Sequence, residues 1–221
     1  MSTETATAPD GSEVSLVGVG TSVLLETPHV RVWDVVLPAG GMHPWHLHHN
    51  PYVVLSVAGS TGYMEWLDGS PRRDITEYSG GAVFRPVSPV HRLTNSGSTR
   101  YRNRLVELKA LGEDRPGGPL DVGPGLRSTQ ADTAGPVLPD GRVPVLIGEF
   151  VKIWLLTVPA GEVATLQLDH GEYVLAELDA DLDGEDLAAS VSQVSGPWPV
   201  ANPGTHERRW FVVGLDYLED R

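Results

Sequence analysis

Apolar runs of five to eight residues, each closed by Gly, Pro, Asn or Asp, recur along the chain: "VRVWDVVL", "YVVLSVAG", "YRNRLVEL", "FVKIWLLTV" and "YVLAEL". No segment sustains an apolar stripe at 3.6-residue spacing for three turns, so the pattern predicts strands and an all-β fold. Residues 111–142, "LGEDRPGGPLDVGPGLRSTQADTAGPVLPDGR", carry too much Gly and Pro for a core element and read as a linker. Residues 1–14 are polar and acidic and read as a disordered lead. The expected domains are therefore 15–110 and 143–221.

The two domains repeat each other. A shift of 121 positions without a gap lays residues 30–54 over 151–175, and Val30, Trp33, Pro38, Ala39, Gly40, Leu47, His49, Tyr52 and Val53 recur. Shared "PAG" and the ungapped register favour a duplicated β domain over two strands of similar composition.

Composition narrows the chemistry. The 221 residues, 40% hydrophobic and 20% charged, suffice for two proper cores. The absence of cysteine excludes disulfides, thiolate metal sites and cysteine nucleophiles, and is compatible with a reducing, cytoplasmic home. No stretch reaches the length of a membrane span, and the start lacks the apolar core of a signal peptide. A net charge of −13 argues against nucleic acid or an anionic membrane as partner. The expected partner is a small-molecule substrate, and a homodimer is left open. Positive charge gathers at Arg85, Arg92 and "RYRNR".

Four of the eight histidines fall in "HPWHLHHNPY", 43–52. Strand alternation puts His46 and His48 on one face, about 7 Å apart along the backbone, so that both imidazoles reach one ion. His43 and His49 have the opposite parity and are expected at the surface or in flanking turns, with a role at the pocket mouth as the alternative. A polar histidine cluster inside a barrel is the plainer alternative.

These residues resemble the cupin superfamily. "GGMHPWHLHHNPYVVLSVAG" is similar to the first cupin motif, with Gly40, His46, His48 and Gly59 in register and Tyr52 where the family usually has Glu. "GGAVFRPVSPVHRLTN" is similar to the second, with Gly80, Pro86, His91 and Asn95 in register and Ser88 replacing the inner Gly. The resemblance covers about residues 15–110 and, through the repeat, extends more weakly to 221. The N-terminal half is also similar to small cupins linked to β-alanine degradation. The resemblance implies a bicupin, two double-stranded β-helix (jelly-roll) barrels. It implies one divalent transition metal held by His46, His48 and His91.

Three neutral imidazoles suit Fe(II), Zn, Ni or Cu and leave positions open for substrate. Tyr52 is a poor ligand at neutral pH. It is expected as a hydrogen-bond donor at the pocket wall, facing a developing oxyanion; a plain core aromatic and a direct ligand are the alternatives. Arg102 and Arg104, two apart on one strand face, are expected to grip a substrate carboxylate, with a charged exterior face as the alternative. In the second half the ungapped register offers only Gln167, Asp169 and His206, which implies a degenerate, structural barrel. "DADLDGED" (179–186) starts like a calcium loop, but the position that needs an acid is Ser190.

Three-histidine cupins resemble Fe(II) dioxygenases acting on small anionic chelating substrates. The alternatives are a redox-neutral isomerase, lyase or hydrolase using Zn, Ni or Mn, and a non-catalytic small-molecule-binding cupin. No G-x-S-x-G, P-loop or G-x-G-x-x-G motif offers other chemistry.

Overall fold

Strands dominate the computed structural model, which describes residues 4–130, 134–169, 171–179 and 187–218. The chain divides into two compact units, residues 1–79 with 85–125 and residues 80–84 with 126–221.

The first unit opens with β1 (Thr5–Thr7) paired antiparallel to β2 (Glu13–Ser15). β1 and the first two residues of β2 lie within the segment expected as a disordered lead, residues 1–14. The turn between these strands is built by its own sequence: Gly11 takes φ +85°, and Asp10 accepts from Ser12 N at 2.9 Å and Ser12 Oγ at 2.7 Å. β3 (Ser22–Glu26), β4 (Val30–Leu37), β5 (Met42–His46), β6 (Tyr52–Ala58), β7 (Thr61–Trp66) and β8 (Arg73–Thr76) follow. After β9 (Ala82–Arg85) come β10 (His91–Asn95) and β11 (Tyr101–Leu108). β3, β4, β11 and β6 lie side by side in one sheet, and β5, β10, β7 and β8 form a second.

β11 is the axis of the first sheet, buried along all eight residues. Its odd positions Tyr101 and Leu105 cluster with Val35, Leu37, Tyr52 and Val19, and this is the barrel interior. Its even positions Arg102 and Arg104, with Val106 and Leu108, have the opposite parity and leave the sheet on its other face. The turn from β4 to β5 needs the left-handed region at Gly40 (φ +72°), closed by Gly41 N on Pro38 O at 2.9 Å.

Within 111–142 the described regular structure is a single turn of 3-10 helix ending at Leu111 and the two-residue β12 (Leu126–Arg127), which pairs with β9. The second unit then repeats the plan with β13 (Val143–Ile147), β14 (Lys152–Val158), β15 (Val163–Leu166), β16 (Tyr173–Glu177), β17 (Val191–Val194), β18 (Trp198–Ala201) and β19 (Arg208–Gly214). Its sheets run β13-β14-β19-β16-β17 and β15-β18. The duplication is visible in two asparagines. Asn95 Nδ2 donates to Pro38 O at 2.9 Å and Thr99 O at 2.8 Å; Asn202 Nδ2 donates to Val158 O and His206 O, both at 2.8 Å. Each Oδ1 accepts from the glycine two residues on.

Candidate metal centre

His46 ends β5, His91 begins β10, and the two are directly paired across the ladder. His48 lies two residues beyond β5, ahead of a turn pinned by Asn50, whose Nδ2 donates to Glu107 Oε1 at 3.3 Å and whose Oδ1 accepts from Glu113 N at 2.8 Å. One ring nitrogen from each of His46, His48 and His91 lies within 4.8 Å of the others, and all three residues are buried. The structure thus brings together the three histidines that the motif spacing selects.

The protonation of two rings is fixed by their partners. His46 Nδ1 lies 2.8 Å from Pro44 O and His91 Nδ1 2.8 Å from Pro89 O. A carbonyl can only accept, so both Nδ1 atoms carry hydrogen and both Nε2 atoms keep a lone pair. His48 has no such carbonyl, and its buried Nδ1 is without a partner. Its ring instead stacks on Tyr52, centroids 4.0 Å apart and planes 14° from parallel. Burial holds all three imidazoles neutral. It pushes His46 down to about 3, with the neighbouring His91 adding to the effect, and lowers His48 and His91 as well. Three neutral nitrogen donors, two of them pre-set as acceptors and the third with an orphaned buried nitrogen, fit a divalent transition metal.

Tyr52 closes one side. Its hydroxyl meets Ser88 Oγ at 3.0 Å, with either atom able to donate, and burial raises its pKa so that it stays a phenol. Further along the same interior face, Ser56 Oγ donates to Glu77 Oε2 at 2.6 Å, Tyr101 OH donates to the same oxygen at 3.1 Å, and Asn103 Nδ2 donates to Tyr101 OH at 2.7 Å. Opposite residues in an antiparallel ladder share a face, and Trp66 on β7 pairs with His91, so Trp66 joins the wall; its ring centroid is 5.3 Å from that of His91. Sequence reasoning missed Trp66, which only the cross-strand register reveals, and Glu77, which only its bonds from Ser56 and Tyr101 reveal.

Two expectations are corrected. His43 is not at the surface: its ring is buried 4.7 Å from that of His46, and its Nε2 bonds Gly18 O at 2.9 Å. The cause is a bulge. His46 pairs with His91 and His43 with Leu93, so three steps on β5 match two on β10, and the extra residue returns His43 to the interior face. His49 does lie exposed, 3.3 Å from Glu4. Arg102 and Arg104 do not serve the pocket. They are 2% and 0% exposed on the far face of β11, where both bond Asp34, Arg102 through Nη2 at 2.8 Å and Arg104 through Nη1 to Oδ1.

The second unit has lost the site more completely than its sequence indicates. β15 pairs with β18 without a bulge, so Leu166↔Trp198 takes the place of His46↔His91. Leu166 and Leu168 point into the apolar core with Trp154, Tyr173 and Trp210, whereas Gln167 and Asp169, the ungapped counterparts of the ligands, are exposed. One residue fewer in β15 shifts the faces. His206 is exposed too. His170, and the acidic loop beyond Asp179, lie outside the described residues.

No family model and no curated protein sequence matches the chain. Solved structures do. A cupin domain from Bordetella pertussis is 25% identical over 40% of this chain and 91% of its own, with a TM-score of 0.38. AerE from Microcystis aeruginosa covers 88% of this chain and 96% of its own at 9% identity and a TM-score of 0.57. Oxalate decarboxylase OxdC from Bacillus subtilis covers 85% and 69% at 11% identity and the same TM-score. At such identities the likeness speaks for the fold. AerE and OxdC, with the sheets described above, define a fold of two cupin-like jelly-roll barrels, with a candidate three-histidine metal site in the first. Among the described residues no helix is long and apolar enough to cross a membrane.

Proposed function

We propose that the protein is a metal-dependent dioxygenase of a small anionic substrate, with one Fe(II) held by His46, His48 and His91. The observation that carries this reading is the donor set, three buried neutral imidazoles with no carboxylate among them. When bound, Fe(II) supplies a Lewis-acidic, redox-active centre with open positions, and a neutral donor set leaves its double charge uncompensated for a chelating anion. The chain's own part is orientation and exclusion. Pro44 O and Pro89 O fix the faces of His46 and His91, Tyr52 braces His48, and the apolar wall of Val35, Leu37 and Leu105 keeps water out. With Ser88 as donor to the Tyr52 oxygen, the phenolic hydrogen is left for the anion that develops on the substrate.

The Glu77–Tyr101–Asn103 chain in the same interior favours a second reading, proton-transfer chemistry by a redox-neutral isomerase, lyase or hydrolase with Zn, Ni or Mn. Oxygen uptake by the Fe(II), Zn and Ni forms, measured side by side across a substrate panel, separates the two. Substrate-dependent uptake by the Fe(II) form alone supports the dioxygenase. Turnover by the Zn form without oxygen consumption rejects it in favour of the second reading, and tight ligand binding without turnover makes the protein a binding cupin.

A further inference from the structure

The row His46, His91, Trp66 runs straight across β5, β10 and β7. One strand further, Arg73 on β8 pairs with Met64, which lies two residues before Trp66 and so shares its face. Arg73 therefore leaves its strand on the side that carries the two histidines. Its guanidinium carbon sits 5.6 Å from the Trp66 ring centroid, and Trp66 in turn packs on His91.

Four other arginines of this unit are engaged with acids. Arg72 bonds Asp74, Arg92 bonds Glu65, and Arg102 and Arg104 share Asp34. No ion pair holds Arg73 among the described residues. A guanidinium stacked on an indole uses its π face and keeps its in-plane N–H groups for a planar oxyanion.

We propose that Arg73, exposed beside Trp66, is the carboxylate-binding residue at the edge of the metal pocket, and that the substrate carries a chelating head and a second, distal carboxylate. This rests on the reading of His46, His48 and His91 as the metal site. It names the feature by which the pocket selects among chelating anions: a distal negative charge.

The test uses the full chain loaded with Co(II), whose visible absorption reports a change in coordination. The probes are 2-oxo diacids of four to six carbons, each titrated against the 2-oxo monoacid of the same length; the pair shares a chelating head and differs in the distal carboxylate. The wild type is expected to prefer at least one diacid by about tenfold or more, as a charge-assisted fork contact supplies. Arg73→Gln abolishes that preference while the monoacid binds as before, and Arg73→Lys restores part of it. A preference that survives Arg73→Gln, or its absence from the wild type at every length, overturns the assignment while Co(II) binding keeps the metal reading intact. A wild-type protein that binds no Co(II) removes both.

Discussion

Tyr52 and Ser88 meet hydroxyl to hydroxyl at 3.0 Å, and they are the two positions at which the chain departs from the cupin motifs. Their contact ties together two of the three clustered histidines. Tyr52 stacks on His48, and Ser88 precedes the Pro89 carbonyl that orients His91. A ring stack thus does for His48 what a carbonyl does for the other two. Tyr52→Leu should therefore weaken metal binding by about 10–100-fold, the usual effect of removing a support behind a ligand, whereas Tyr52→Phe keeps the stack and the metal. Competition with a chromophoric chelator measures both, and equal affinities in the two variants would contradict the bracing role.

Tyr52→Phe should still damage turnover. Losing a donor to a developing anion lowers kcat by roughly 10²–10³-fold, or about 2.7–4 kcal/mol. Steady-state kinetics on protein with verified metal content reads this directly. An unchanged kcat would leave Tyr52 with the positioning role alone.

The metal-free protein should lose stability as pH falls. Burial depresses the pKa values of His46, His48 and His91, so below about 6.5 the unfolded chain takes up protons that the folded chain refuses. Each such group removes about 1.4 kcal/mol per pH unit until its folded pKa is reached, about 3 for His46. Urea midpoints between pH 7.5 and 5 should fall steeply for the wild type and less steeply for His46→Gln. Parallel profiles would show that His46 is not held neutral.

Asp34 should be a stability residue. Its removal takes from the buried Arg102 and Arg104 the carboxylate that both bond, and breaking a buried pair in this way typically destabilises by about 3–5 kcal/mol. Chemical denaturation of Asp34→Ala checks this, and a shift below 1 kcal/mol would mean that the two guanidinium groups find other partners.

The strands, the duplication and the clustering of three histidines were legible because each is written in local spacing: alternation for strands, a fixed shift for the repeat, and H-x-H with a later His for the cluster. What was not legible depended on pairing between distant strands. The bulge in β5 turns His43 inward and, by its absence from β15, turns Gln167 and Asp169 outward; neither result can be read without the partner strand. Arg102 and Arg104 have the charge expected of a substrate clamp but the wrong parity on β11. Arg73, in the polar stretch "SPRRDIT", shows its place only through the pairing of β8 with β7.

The second barrel should hold no metal, since Leu166, Leu168 and Trp198 fill the positions that correspond to His46, His48 and His91. His206→Ala should leave the metal content unchanged. A second equivalent that vanishes in this variant would contradict the slipped register.

Elemental analysis of untagged, Fe(II)-loaded protein tests the central claim most directly. One metal ion per chain is expected in the wild type and almost none in His46→Ala, His48→Ala or His91→Ala, each of which should remain folded because two barrels do not depend on one ion. Full occupancy in the His48→Ala protein would contradict the three-histidine centre.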